Sequence, residues 1–220
     1  MLTQIYEVST PQEANALSRM GVDHVGILVG DGTFPRELDP NAAAAVAAAV
    51  RAPSKVVALF LSGDCTLIER MADELKPAII HLGAASELLL PAHVVELRRK
   101  MPNALFIRSV PVTGPESVSI AVSYDRIVDF LLLDSHRAGD TQIGALGVTH
   151  DWTISAEIVE RCSTPVILAG GLGPDNVSDA IRVVRPAGVD SKTKTDRGVT
   201  HAKDLTLVAA FNSAAKSSGL

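Results

Sequence analysis

The chain has 220 residues, a length that suits one compact α/β unit with a core large enough to stand without disulfide or metal staples. Hydrophobic residues make up 47% and charged residues 20%, which excludes a disordered or fibrous chain. A net charge of −5 without any basic run argues against nucleic acid or an anionic membrane as partner, and Cys65 and Cys162, which share no short motif, read as free thiols of a reducing cytoplasm.

The N-terminus shows no charged leader before an apolar run, and no apolar stretch reaches about 18 residues, so neither a signal peptide nor a membrane span is expected. A first short apolar run, Ile5–Val8, is followed by a helix over Pro11–Met20, which opens after Ser9-Thr10 with proline at an early position. The second run, Val22–Val29, leads through a long connection to Asp39, a candidate cap for an Ala- and Val-rich helix over Pro40–Arg51. A helix so apolar is expected to pack tightly against a barrel or another subunit. Runs at Val56–Leu61, Ala78–Leu82, Ala104–Val110 and Ile127–Leu133 continue the series, with helices starting at Cys65 and spanning Ser86–Lys100 and Pro115–Tyr124. A second long connection, from Ser135 to Asp151, precedes a helix over Thr153–Cys162. Runs at Val166–Ala169 and Ala187–Val189 bracket a helix over Pro174–Val184, and a last helix around Lys203–Lys216 closes the chain.

Each run is apolar on both faces, as a strand buried on both sides of a parallel sheet must be. Eight such strands admit a closed barrel or an open doubly wound sheet. Even repetition, and no GxGxxG after the first strand, favour the barrel. The expectation is one (β/α)8 TIM barrel domain over residues 1–220. Barrel active sites are built from loops at the C-terminal ends of strands, where both long connections fall.

Two stretches point to chemistry. Leu131-Leu132-Leu133-Asp134-Ser135 ends an apolar strand in a carboxylate, which reads as a loop cap or as a general acid whose pKa partial desolvation would raise. Pro165–Leu172 runs a strand into Gly170-Gly171, and Gly173-Pro174-Asp175-Asn176-Val177 then opens a helix. Glycine lets backbone amides approach an anion and a helix N-terminus favours negative charge, so this region is a candidate phosphate site. Between them, Gly144–Trp152 holds His150 and Asp151, which read as the start of a helix with Asp151 as its cap.

From Leu132 to Asp190 the chain resembles the phosphoribosylanthranilate isomerase family of the tryptophan pathway. The strand end Leu132-Leu133-Asp134-Ser135, the loop reaching His150-Asp151-Trp152, Leu168-Ala169-Gly170-Gly171-Leu172 and Arg185-Pro186-Ala187-Gly188-Val189-Asp190 stand in the family's order. Phe34-Pro35-Arg36 sits where the family has Ser-Pro-Arg, and Ile80-His81-Leu82-Gly83 sits near its Gln-Leu-His-Gly. The resemblance implies an Amadori rearrangement. In that reaction an aspartate protonates the ring oxygen of a phosphoribosyl amine, a first-strand cysteine removes the C2 proton, and the enolamine collapses to the ketose. It implies Asp134 as the acid, Arg36 as the ligand of the anthranilate carboxylate, and His81, Gly170, Gly171 and Asp190 as further substrate contacts. It also implies a phosphorylated small-molecule substrate, no cofactor or metal, a cytoplasmic enzyme, and a monomer or homodimer.

The likeness breaks at the mouth. The family's first strand reads Lys-Ile-Cys-Gly-Ile-Thr. Here Gln4-Ile5-Tyr6-Glu7-Val8-Ser9 puts Tyr6 at the cysteine and Glu7 at the glycine. A phenol with a pKa of about 10 is a poor base near neutrality. Glu7 has a better pKa, but alternation turns it toward the helices if Tyr6 faces the interior, unless the strand has already ended. Both are carried as candidate catalytic residues. After the eighth strand Asp190-Ser191-Lys192-Thr193-Lys194 replaces Asp-Val-Ser-Ser-Gly, so Lys192, Thr193 and Lys194 either hold an anion by charge or form a solvated basic loop. In the sixth loop Ala145-Leu146-Gly147-Val148 replaces Gly-Thr-Gly-Lys. Two other functions stay open: a metal-assisted epimerase or aldolase with Glu7, His81, Asp134 and Asp190 as ligands, and a non-catalytic sugar-phosphate binding protein.

Overall fold

The structure, a computed structural model, describes residues 1–137, 139–144 and 146–218. Among them eight parallel strands close into a barrel in chain order, β1 (Leu2–Ile5), β2 (His24–Leu28), β3 (Lys55–Phe60), β4 (Ile79–Leu82), β5 (Leu105–Pro111), β6 (Phe130–Asp134), β7 (Val166–Leu168) and β8 (Gly188–Ser191). The helices between them are α1 (Pro11–Arg19), α2 (Pro40–Ala49), α3 (Cys65–Leu75), α4 (Pro91–Lys100), α5 (Glu116–Tyr124), α6 (Trp152–Arg161), α7 (Val177–Val184) and α8 (Leu205–Ser218). Closure comes from β1 pairing β8, with Gln4 opposite Asp190 and Ile5 opposite Ser191.

The core has two layers because strand side chains alternate. Ile5, Ile27, Phe60, Leu82, Phe106 and Leu133 point outward and pack beneath the helices. Tyr6, Val57, Ile79, Ile107, Leu132 and Ile167 fill the barrel interior. Each fully buried aliphatic side chain of these layers contributes about 1.5–3 kcal/mol. The interior also takes polar groups, among them His24, whose Nδ1 lies 3.0 Å from Gln4 Oε1 below the mouth.

Element ends follow local chemistry. Asp39 caps α2 by accepting from the Ala42 amide at 2.9 Å, and Asp151 caps α6 by accepting from the Thr153 amide at 2.8 Å. The expected start of α4 at Ser86 moves to Pro91, because Leu90 before it is held extended (φ −68°, ψ 159°), as a residue preceding proline tends to be. The expected start of α7 at Pro174 moves to Val177. Asn176 folds the preceding residues into a loop by accepting from the Gly173 amide (2.9 Å) and donating to the Gly171 carbonyl (3.1 Å).

Two expectations need correction. The first strand is Leu2–Ile5, not Ile5–Val8. It ends because Glu7 adopts a left-handed backbone (φ 56°), after which the Val8 amide bonds the Gly26 carbonyl at 2.9 Å. Helix α2 is not packed all round. Only Ala43 and Val46 are buried, and Ala44, Ala45 and Ala48 are exposed, so alanine serves helix propensity here more than burial. No helix among the described residues is long and apolar enough to cross a membrane.

Candidate active site at the barrel mouth

The two long connections, after β2 and after β6, rise over the C-terminal ends of the strands. The first is drawn together by Glu37, whose Oε2 accepts from the Gly32 amide at 2.8 Å and the Phe34 amide at 3.3 Å. The second is pinned to the loop after β4, where the Ile143 amide donates to the Gly83 carbonyl (2.9 Å) and the Ala85 amide to the Thr141 carbonyl (2.9 Å). Arg108, wholly buried on the outer face of β5, supports that loop from below by donating to the Leu82 and Ala84 carbonyls at 2.8 and 2.7 Å. Ala145, part of the altered sixth loop, lies outside the described residues.

Between these loops lies a cavity of about 240 Å³, walled in part by Tyr6, Glu7, Arg36, His81, Asp134 and Asp190. A second, of about 30 Å³, lies beside it, where Gly147, Gly170, Gly171, Ser191, Thr193 and Lys194 meet. The site residues suggested by the sequence are therefore gathered at one mouth. Cys65, at the start of α3, and Cys162, at the end of α6, lie outside it.

Asp134 ends β6. Burial pushes its carboxyl up to about 7, against the two bonds that Ser135 makes to Oδ1, 2.7 Å from the amide and 3.3 Å from the hydroxyl. Gly144 and Gly170 leave the room it occupies. A Cβ on Gly144 would fall 2.1 Å from Asp134 Oδ2, and one on Gly170 would fall 2.8 Å from His150 Nδ1 and 3.3 Å from Asp134 Oδ1. His150 itself bonds Ser155 at 2.8 Å. Asp190, at the mouth end of β8, is also buried, and burial together with the Asp134 charge raises its carboxyl well above the usual range.

Tyr6 stands on the β1 end with its ring over Gly26, where a Cβ would come within 2.2 Å of Tyr6 Cδ1. Its hydroxyl lies 2.5 Å from His81 Nδ1, and His81 Nε2 lies 2.7 Å from Ser109 Oγ. Burial, and after it the Arg108 charge, lowers the His81 pKa to about 3, so the ring is neutral. The arrangement that satisfies every group has Tyr6 donating to Nδ1 and Nε2–H donating to Ser109. Burial and the Asp190 charge raise the Tyr6 phenol well above its ordinary value.

Glu7 does not turn toward the helices as strand alternation would have it. The strand has ended, and the left-handed turn swings its carboxylate to the mouth, where Arg36 grips it at 2.6 Å through Nε and 3.2 Å through Nη2. Burial would raise the Glu7 pKa, but the Arg36 hydrogen bond and the Lys192 and Arg36 charges outweigh it and hold the carboxyl below its usual range.

The two lysines after β8 part company. Lys192 is nearly buried and lies 3.4 Å from Glu7, 3.0 Å from Asp196 and 2.9 Å from His201 Nδ1, and Asp196 also holds the buried Lys203 at 2.5 Å. Lys194 is exposed at the rim of the small cavity, its side chain lying against Gly173. Asp196 and Lys203 had no motif to mark them in the sequence.

Two of the four side chains considered as metal ligands are committed elsewhere. Both nitrogens of His81 are bonded to side chains and Glu7 is held by Arg36, and among the described residues no three His, Cys, Asp or Glu converge as a metal site.

The sequence profile of the family described as N-(5'phosphoribosyl)anthranilate (PRA) isomerase matches residues 3–214. The N-(5'-phosphoribosyl)anthranilate isomerase of Rhodopseudomonas palustris strain BisA53 is 31% identical over 216 residues, spanning 97% of this chain and 94% of that one. The N-(5'-phosphoribosyl)anthranilate isomerase 2 of Methanosarcina mazei is 42% identical over 100 residues, a match that spans 46% of this chain and 44% of the relative. The solved phosphoribosyl anthranilate isomerase of Thermus thermophilus superposes with a TM-score of 0.82 at 21% identity over 99% of both chains, a likeness of fold.

Proposed function

The chain belongs to the N-(5'-phosphoribosyl)anthranilate isomerase family, and we propose that its barrel mouth catalyses the Amadori-type isomerisation of N-(5'-phosphoribosyl)anthranilate, an aldose amine, to the corresponding ketose amine. The observation that carries this is Asp134, a carboxyl that burial holds at about 7 where the two cavities meet, so that about half of it keeps its proton in neutral solution.

The small cavity suits the phosphate. Gly170 (φ 83°) and Gly171 (φ 61°) open the backbone there, Thr193 offers a hydroxyl, and Lys194 supplies charge from the rim. The sugar then reaches past Asp134, which gives its proton to the ring oxygen as the C1–O bond breaks and the nitrogen lone pair forms the C1 imine. Loss of the C2 proton yields the enolamine, and reprotonation at C1 yields the ketose. Arg36 receives the aromatic carboxylate through Nη1, while Glu7 holds Nε and Nη2 and so fixes the guanidinium plane. Tyr6 and His81 form the polar wall of the larger cavity.

The test follows loss of anthranilate fluorescence when purified protein meets N-(5'-phosphoribosyl)anthranilate, beside the Asp134→Asn variant. Turnover is expected from the wild type, with a loss on the order of 100-fold or more in the variant. Folded wild-type protein that leaves this substrate unchanged overturns the reading.

A further inference from the structure

Asp134, Asp190 and Lys192 are the three residues that wall both cavities. A sugar phosphate with its phosphate in the small cavity and its amine substituent in the large one must lay its ribose carbons across them. Two of the three are already engaged. Lys192 is held among Glu7, Asp196 and His201, and Asp134 Oδ1 takes the Ser135 amide and hydroxyl. Asp190 is 6% exposed, and its Oδ1 is closed off from solvent without a hydrogen-bond partner among the described residues. A carboxyl group buried in that condition destabilises the fold, so its presence at the junction of two cavities points to chemistry.

Among the other candidates for proton removal, His150 keeps an unpartnered Nδ1 but lines neither cavity, and the rest are committed. The Tyr6 hydroxyl is given to His81, both Glu7 oxygens hold Arg36, and the two cysteines lie on outer helices. We infer that Asp190 is the general base that takes the C2 proton of the ring-opened substrate, with Asp134 as the acid facing it. The inference rests on the isomerisation proposed above.

The step balances within the substrate. The C2–H bond breaks and its proton passes to the Asp190 carboxylate. The electron pair forms the C1=C2 bond, and the C1=N pair withdraws onto nitrogen, which neutralises the iminium. A proton then returns to C1 as the C2 hydroxyl loses its own and becomes the carbonyl, so the product is an isomer and no oxidant or reductant is needed. The Asp134 charge raises the Asp190 carboxyl in this one buried site, so the pair tends to hold one proton between them, and the form with that proton on Asp134 leaves Asp190 as the base.

The experiment uses the full chain with N-(5'-phosphoribosyl)anthranilate bearing hydrogen or deuterium at C2. Three proteins are compared: wild type, Asp190→Asn, and Asp190→Ala with and without formate, each checked for folding by circular dichroism. Expected are a primary isotope effect in the wild type, a fall in kcat on the order of 1,000-fold in Asp190→Asn with KM nearly unchanged, and partial rescue of Asp190→Ala by formate, which a merely structural carboxylate would not show. Full turnover by folded Asp190→Asn overturns this inference alone. Should that variant not fold, Asp190→Ala decides, and failure of formate to restore any rate counts against the assignment. No turnover by the wild type overturns the isomerase reading and this inference together.

Discussion

The Asp134 carboxyl, the proposed acid, carries a stability cost from the same physical cause that raises its pKa, its removal from water. Its folded pKa of about 7 stands above the unfolded value of about 3.9. Below about pH 4 it is protonated in both states and costs nothing. As pH rises toward 7 the unfolded chain releases the proton first, so the fold loses stability, and the full penalty of a few kcal/mol is present above about pH 7. Asp134→Asn keeps an oxygen for the Ser135 bonds and removes the titration. It should therefore unfold at a higher urea concentration than wild type at pH 8, with the gap closing near pH 4 (a gap equal at both values refutes the titration as its source). Wild-type turnover should fall as pH rises through about 7, because the acid loses its proton. At Gly26 the matter is space. Gly26→Ala places a methyl group inside the Tyr6 ring, and the strain should lower stability by about 1–3 kcal/mol and break the Tyr6–His81 bond. Adding Tyr6→Leu should recover most of that stability in a double-mutant cycle, and purely additive losses would refute the contact.

At the scale of elements, the end of β1 matters more than its length. Stopping at Ile5 and turning left-handed at Glu7 brings two adjacent residues, Tyr6 and Glu7, to the same mouth, which a continuing strand forbids. Helix α2 shows the complementary case, in which composition misleads about burial. Ala45 lies on its exposed face and Val46 beneath it against the barrel. Ala45→Lys should change the urea midpoint by less than about 0.5 kcal/mol equivalent, whereas Val46→Ala should cost about 1–3 kcal/mol. A large loss from Ala45→Lys would mean that this face is covered in solution.

Across the whole molecule, barrel closure gathers charge from distant parts of the chain. Glu7, Arg36, Lys192, Asp196 and Lys203 form one run of ion pairs only because β1 and β8 are neighbours. With Lys192 inside that run, Lys194 stays exposed at the rim of the small cavity, the proposed phosphate site. Inorganic phosphate should accordingly raise Tm. At ten times its dissociation constant the stabilisation is about 1.4 kcal/mol, and Lys194→Ala should weaken it while chloride at equal ionic strength leaves Tm unmoved. Equal shifts with phosphate and chloride would make the effect ionic screening rather than a site.

The order of strands and helices, the barrel and the carboxyl that ends β6 were legible from the chain alone. Apolar period, caps and turn residues are local, and Asp134 closes an unbroken apolar run. Motif likeness likewise marked Gly170 and Gly171. Illegible were the early stop of β1, the division of labour between Lys192 and Lys194, and the isolation of Asp190, whose local sequence differs little from that of any carboxylate ending a strand. Those depend on which groups meet after closure, and a carboxylate becomes an ion-pair partner, an acid or a base according to the water and charge that the tertiary structure leaves around it.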